Sequence, residues 1–170
     1  MSQEASQTRR VLVVGVDLTE VSEHLLNYAR DVVKRVDQAV LHVVHVVRPE
    51  PLSERINDPV GSEGVVTSAL RKSAEWQLEQ LCRSIVGNSA ASWHVHVRVG
   101  HAADVLMKIA TEVDADFIVV EAHDHHGASR IFHRSVVARI ARDAPCSVLT
   151  VRGPQANQPV EGRTVTVAPS

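Results

Sequence analysis

Aromatic residues are nearly absent from this 170-residue chain, which holds two Trp, two Phe and one Tyr. A core of ordinary size has to be assembled without large rings, and 31 valines are the evident substitute. Strands rich in β-branched side chains are characteristically buried on both faces. Cysteine is scarce as well. Cys82 and Cys146 are too few for a disulfide framework and too far apart for a zinc site. A reducing cytoplasm is the expected compartment. No apolar run reaches the ~18 residues of a membrane span, and the opening MSQEASQTRR lacks the apolar stretch of a signal peptide, so no membrane partner is expected. Positive charge is not in excess either. Against 20 Asp and Glu stand 18 Lys and Arg, a net charge of -2 that offers nucleic acid no footing. With 44% apolar and 22% charged residues the chain reads as one domain, able to bury about 70% of its unfolded surface. Histidine alone is abundant: ten residues, four of them between His123 and His133.

Beyond a polar arm of residues 1–10, the apolar pattern changes period repeatedly. VLVVGV, Val11–Val16, ends on Asp17 as a central parallel strand would. Thr19 or Ser22 is placed to cap a helix in which Leu25, Leu26, Ala29, Val32, Val33 and Val36 recur at helical spacing. Ala39–Val47 (AVLHVVHVV) is a second strand. Residues 48–64, RPEPLSERINDPVGSEG, carry three prolines and two glycines and read as a long loop. Leu70, Ala74, Leu78, Leu81 and Ile85 stripe a helix of about five turns. In Trp93–Val99 (WHVHVRV) alternation puts His94, His96 and Arg98 on one face, and the same rule puts His42 and His45 on opposite faces of theirs. Gly100 ends that strand. A helix over Asp104–Val113, a strand at Phe117–Val120, a helix through Val136, Val137, Ile140 and Ala141, and a strand at Ser147–Val151 complete the domain. The tail, residues 153–170, contains RTVTV, which alternates like a short edge strand. Such alternation predicts an α/β fold: an open doubly wound parallel five-stranded sheet with helices on both faces. Ligands of these sheets bind beyond the carboxyl ends of the strands where strand order reverses. That rule nominates Asp17, Gly100, His101 and the segment from Glu121 to His126.

Three stretches resemble the universal stress protein domain. The first is VLVVGVDLTEVSEHLLNYA, and the second is RVGHAADVLMKIATEVDADFIVV. The third, Asp116–Val151, reads DFIVVEAHDHHGASRIFHRSVVARIARDAPCSVLTV. The resemblance spans residues 11–152. It implies strand order 3-2-1-4-5 and homodimers formed through the last strand, here Ser147–Val151. Some members of that family hold ATP with G-x2-G-x9-G-[ST], and the aspartate ending the first strand, here Asp17, helps to hold the adenosine. At the three glycine positions this chain carries Glu121, Asp124 and Arg134, followed by Ser135.

Glycine at such positions lets backbone amides turn onto an anion at close approach. Glu121 and Asp124 would instead set carboxylates beside a polyphosphate, and Arg134 would fill the space the chain needs. The expected reading is therefore a non-catalytic stress-response or regulatory module without ATP, in which Asp17 and Ser135 are relics of a nucleotide pocket. One elaboration has Arg130 and Arg134, one helical turn apart, pairing with Glu121 or Asp124 in place of phosphate. One alternative is a nucleotide-binding member with a variant loop and contacts at Asp17, Ser135 and Val136. A second alternative is a metal site at His123, His125 and His126, with Asp124 and His101 within reach. The spacing H-x-H-H matches no helical ligand pair, so loop histidines exposed to solvent are the expectation, and no metal.

Enzyme signatures are absent: there is no G-x-S-x-G, no Walker loop and no G-x-G-x-x-G after the first strand. Cys82 and Cys146 read as small apolar filler. Arg130, Arg134, Arg139 and Arg142 bias the last helix positively, which suits an acidic protein partner, of unknown identity, better than nucleic acid. Buried neutral histidines among His42, His45, His94 and His96 would make the fold acid-sensitive.

Overall fold

The computed structural model describes residues 9–36, 38–48, 62–87, 92–122, 134–152 and 166–168, with backbone alone for 20, 21, 62–67, 134, 135 and 166–168. The chain runs β1 (Arg10–Val16), α1 (Glu20–Val33), β2 (Ala39–Val47), α2 (Ser62–Ile85), β3 (Ser92–Val99) and α3 (Ala102–Glu112). It continues through β4 (Phe117–Ala122), α4 (Arg134–Asp143), β5 (Ser147–Arg152) and β6 (Thr166–Ala168). The sheet order is β3-β2-β1-β4-β5-β6. The first five strands are all parallel, in the expected order 3-2-1-4-5, and β6 adds an antiparallel edge.

Valine does what aromatics do elsewhere because the central strands are covered twice. Leu12, Val14, Leu41, Val43 and Val119 pack with Leu25, Leu26 and Ala29 of α1 and Leu78 and Cys82 of α2. From the same strands, Val13, Val44, Val46, Ile118 and Val120 face the other way onto Leu106, Ile109 and Ala110 of α3 and Ile140 of α4. A strand clad on both faces has no use for alternation, so β1 and β2 read as unbroken apolar runs. Each fully buried Leu among these contributes roughly 1.5–3 kcal/mol. β3 lies at the edge, and its exposed His94 and Arg98 explain why it alternates where β1 and β2 do not.

Three of the boundaries that differ from expectation have a local physical reason. β1 begins at Arg10, inside the expected arm, because Arg10 Nη1 donates to Asp116 Oδ1 at 2.6 Å and the Val11 amide donates to Asp116 Oδ2 at 2.8 Å. Burial alone would raise the Asp116 carboxyl, but these two bonds outweigh it and hold the group below the usual carboxylate range. α2 begins at Ser62, not beyond Gly64: all three prolines of the expected loop precede it, and a lone glycine costs a helix only about 1 kcal/mol. The rest of that loop, 49–61, lies outside the described residues. α3 opens at Ala102, two residues earlier than expected. Gly100, at φ +150°, makes the turn into it, where a Cβ would sit 3.2 Å from Val105 Cγ2.

β6, which shares Thr166 and Val167 with the alternating RTVTV stretch of the tail, lies beside β5. Val148, Leu149 and Thr150 of β5 face Ala168, Val167 and Thr166. An interface between copies through β5 therefore has to displace or accommodate β6. Among the described residues, no helix is long and apolar enough to cross a membrane.

Candidate functional site at the strand-order switch

From β1 the chain passes to β2 on one side, and β4 lies on the other, so strand order reverses between β1 and β4. Asp17 follows the last residue of β1, and Glu121 is the fifth of the six residues of β4. The structure brings these two nominated residues together.

Asp17 is held by the turn that it starts. Its Oδ1 accepts hydrogen bonds from the Thr19 amide at 3.0 Å, from the Thr19 hydroxyl and from the Ser22 hydroxyl at 2.9 Å. Its own amide donates to Ser22 Oγ at 3.2 Å. Between them Leu18 takes the left-handed conformation, φ 61°, uncommon for a branched side chain. Thr19 occupies the N-cap position of α1 but makes no side-chain cap bond. Both candidate cap hydroxyls donate instead to the Asp17 carboxylate, and hydrogen bonds to a charged acceptor are the stronger kind.

Glu121 is the opposite case. It is only 3% exposed, and its Oε1 has no hydrogen-bond partner. Alternation along β4 turns it to the same face as Val119, toward the layer of α1 and α2. Burial, with the nearby Asp17 charge adding to it, pushes its carboxyl up to about 8. At neutral pH this group is mostly protonated. Burial thus favours the neutral acid at Glu121, the residue that the family resemblance aligns with the first glycine of a phosphate loop.

A third residue joins them that sequence reasoning had placed only on a strand face. His45, buried near the end of β2, lies opposite Val16 in the parallel register, and its Nδ1 donates to the Val16 carbonyl at 3.0 Å. Desolvation lowers its pKa, opposed by that bond and by Asp17. The available signal was positional: His45 aligns with the residue before Asp17.

The other nominated residues are dispersed. Gly100 and His101 close β3 two strands away, and His101 is exposed. Asp124, His123, His125, His126, Arg130 and His133 lie outside the described residues. Arg134 and Ser135 open α4, with their side chains outside the described set, and Val136 is half-buried against the core of the α3 and α4 face. Among the described residues no group of three His, Cys, Asp or Glu is arranged to hold a metal ion. The positive bias of α4 is reduced by pairing, since Arg139 bonds Asp104 and Arg142 bonds Asp143.

His42, His94 and His96 form a separate cluster on the β2–β3 surface. His42 Nδ1 is 2.9 Å from His96 Nε2, and the His42 ring stacks on His94 at 4.8 Å between centroids. Stacked rings do not converge their nitrogens on one point, which is unlike a metal site.

Comparisons with known proteins agree on one lineage. The sequence profile of the Universal stress protein family matches residues 8–152. Universal stress protein A homolog 1 of Coxiella burnetii is 28% identical over 144 residues, 82% of this chain and 94% of its own. Among solved structures, hypothetical protein MJ0577 superposes with a TM-score of 0.71 at 17% identity, over 86% of this chain and 98% of that one. The universal stress protein from Archaeoglobus fulgidus in complex with dAMP gives 0.53 at 19% identity, over 84% and 97%.

Proposed function

The chain belongs to the universal stress protein family, and on that premise we propose that it is a non-catalytic regulatory module of the stress response that does not hold ATP. The observation that carries this reading is Glu121. It is a buried side chain with an unpartnered oxygen, and it stands where an ATP-holding relative has the first glycine of its phosphate loop. A Cβ and carboxyl there deny phosphate the close backbone approach that a nest of amides requires. An approaching anion would also raise the Glu121 carboxyl still further, so electrostatics adds nothing in return.

A specific observation favours the alternative. Asp17 is pre-organised by three donors at the carboxyl end of β1, and the Archaeoglobus relative is a dAMP complex. Nucleotide held by Asp17, Ser135 and Val136 without the loop glycines is the competing account. Isothermal calorimetry of the full chain with magnesium ATP, and separately with dAMP, decides between them. The expected result is no saturable heat with ATP. Micromolar ATP binding that survives in Glu121→Gly and is lost in Asp17→Ala would overturn the proposal in favour of the variant pocket.

A further inference from the structure

We infer that the crevice between the ends of β1 and β4 takes a small organic cation, a primary alkylammonium, between Asp17 and Glu121. The inference rests on the reading that this place refuses phosphate, and it adds what the place accepts. Its first ground is the sheet itself. The ladder between β1 and β4 ends at Val14 and Val119. On either side the pairing runs further, to Val16 and His45 between β1 and β2 and to Ala122 and Arg152 between β4 and β5. The two halves of the sheet thus part over their last rows, where ligands of open parallel sheets settle. Asp17 continues one lip of the crevice, and Glu121 stands on the other.

The second ground is a surplus of acceptors. Every hydrogen bond given to the Asp17 carboxylate goes to Oδ1, so Oδ2 has no donor among the described residues. Glu121 is 3% exposed, and its Oε1 is buried without a partner, a state that folded proteins seldom leave unused. On the same face of the sheet His45 commits its Nδ1 proton to the Val16 carbonyl, so its neutral ring keeps Nε2 as a further acceptor. A ligand of such a place has to bring donors and positive charge. Hard metal ions need several ligands converging on one point, and among the described residues no such group of three is arranged. A primary ammonium brings three N–H donors and works at the longer hydrogen-bond distance. A quaternary ammonium carries the charge without the donors and would leave Oε1 unsatisfied.

Entry of the cation also changes the protonation of Glu121. Burial and the Asp17 charge keep that carboxyl protonated at neutral pH. Above this face α1 and α2 pack uncharged side chains, Leu25, Leu26, Leu78 and Cys82 among them. A positive charge alongside favours the carboxylate. The ammonium therefore enters as a proton leaves, and the net charge of the crevice is unchanged.

Isothermal calorimetry of the full chain with butylammonium chloride, in phosphate and again in HEPES, measures binding and proton release together. The expected result at pH 7 is saturable binding with about one proton released per ligand. The apparent Kd should tighten about fivefold from pH 7 to pH 8. Tetramethylammonium chloride and magnesium chloride at the same ionic strength should give no saturable heat. Glu121→Gln, of nearly the same shape, should lose both the proton release and the pH dependence, and Asp17→Asn should bind about tenfold more weakly. Circular dichroism confirms that both variants are folded. Absence of saturable heat with butylammonium, equal binding of tetramethylammonium or magnesium, or proton release that persists in Glu121→Gln would overturn the inference. If butylammonium and magnesium ATP both fail to bind, this inference falls alone, whereas micromolar ATP binding removes the reading beneath it as well.

Discussion

His42 on β2 and His96 on β3 share a hydrogen bond, Nδ1 to Nε2 at 2.9 Å, which lasts only while at least one of the two rings is neutral. Burial lowers the pKa of His42 to about 4, and the positive potential of His96, His94 and Arg9 adds to the effect. His96 is lowered as well, by burial, Arg98 and His94, against a weaker pull from Glu112. In the unfolded chain both rings protonate near pH 6.5. Between pH 6.5 and about 4 the unfolded state therefore binds protons that the folded state refuses, and stability falls as pH falls. The expected loss from this cluster is ~2 kcal/mol by pH 4.5, seen as a falling midpoint in urea denaturation. His42→Leu should flatten the acid limb. A midpoint independent of pH between 4.5 and 6.5 in Glu121→Gln, where the opposing carboxyl is gone, would contradict this account.

Glu121 produces the opposite slope. Its folded carboxyl titrates at about 8, whereas an unfolded glutamate ionises near 4.3. Across that window unfolding releases a proton, so stability declines as pH rises. Below pH 6.5 the two slopes oppose one another, and above 6.5 Glu121 acts without the histidines. A decline of about 1–2 kcal/mol from pH 6.5 to 8 is expected. In Glu121→Gln, which cannot ionise, that decline should vanish while the acid limb persists. Persistence of the alkaline decline in this variant would assign it to another group.

Period and position made the architecture legible before any coordinates. The unbroken valine runs of β1 and β2 follow from burial on both faces, and the alternation of β3 follows from its place at the edge. The proximity of Asp17 and Glu121 is legible in the sequence because both lie at the carboxyl ends of parallel strands on either side of the order reversal. The protonation state of Glu121 was not, since no sequence pattern encodes a 3% exposed carboxyl. His45 was missed for a related reason. Its partner is the backbone carbonyl of Val16, and a backbone acceptor leaves no mark in residue types. The sequence pattern offers the hydroxyls of Thr19 and Ser22 to the helix as caps, whereas in the fold they donate to Asp17. The pairing of β6 with β5 is a choice of sheet edge, which the alternation of RTVTV does not specify.

The Asp17–Ser22 contact should couple energetically. Ser22 is 2% exposed, and its hydroxyl both donates to the Asp17 carboxylate and accepts from the Asp17 amide. Asp17→Ala leaves that buried hydroxyl without its acceptor, at a cost of about 1–3 kcal/mol. Ser22→Ala removes one of the three donors to Asp17 and should cost about 1 kcal/mol. The double variant should be more stable than the sum of the single losses predicts, by ~1 kcal/mol, since the second change removes a group already orphaned. Urea denaturation of the four proteins at pH 7 measures the coupling. Strict additivity would mean that the turn is held by other contacts.

Cys82 offers a test of the α1–α2 layer itself. It is fully buried on α2 against the sheet, and desolvation, aided by Glu79, pushes its thiol up to about 12. Only the thiolate attacks a disulfide reagent, and at pH 8 a thiol of that pKa is ionised to about one part in 10,000. Cys146 is also raised, by burial and then by Asp116, but it is only half-buried at the foot of β5. In native protein an aromatic disulfide reagent should therefore titrate Cys146 slowly and leave Cys82 silent, with both reacting at once in denaturant. Cys146→Ser isolates the second thiol for a direct measurement. Its rate should then follow the global opening of the fold and slow in step with any substitution that raises stability. Rapid labelling of Cys82 in the folded Cys146→Ser protein would mean that α2 leaves the sheet far more often than its packing implies.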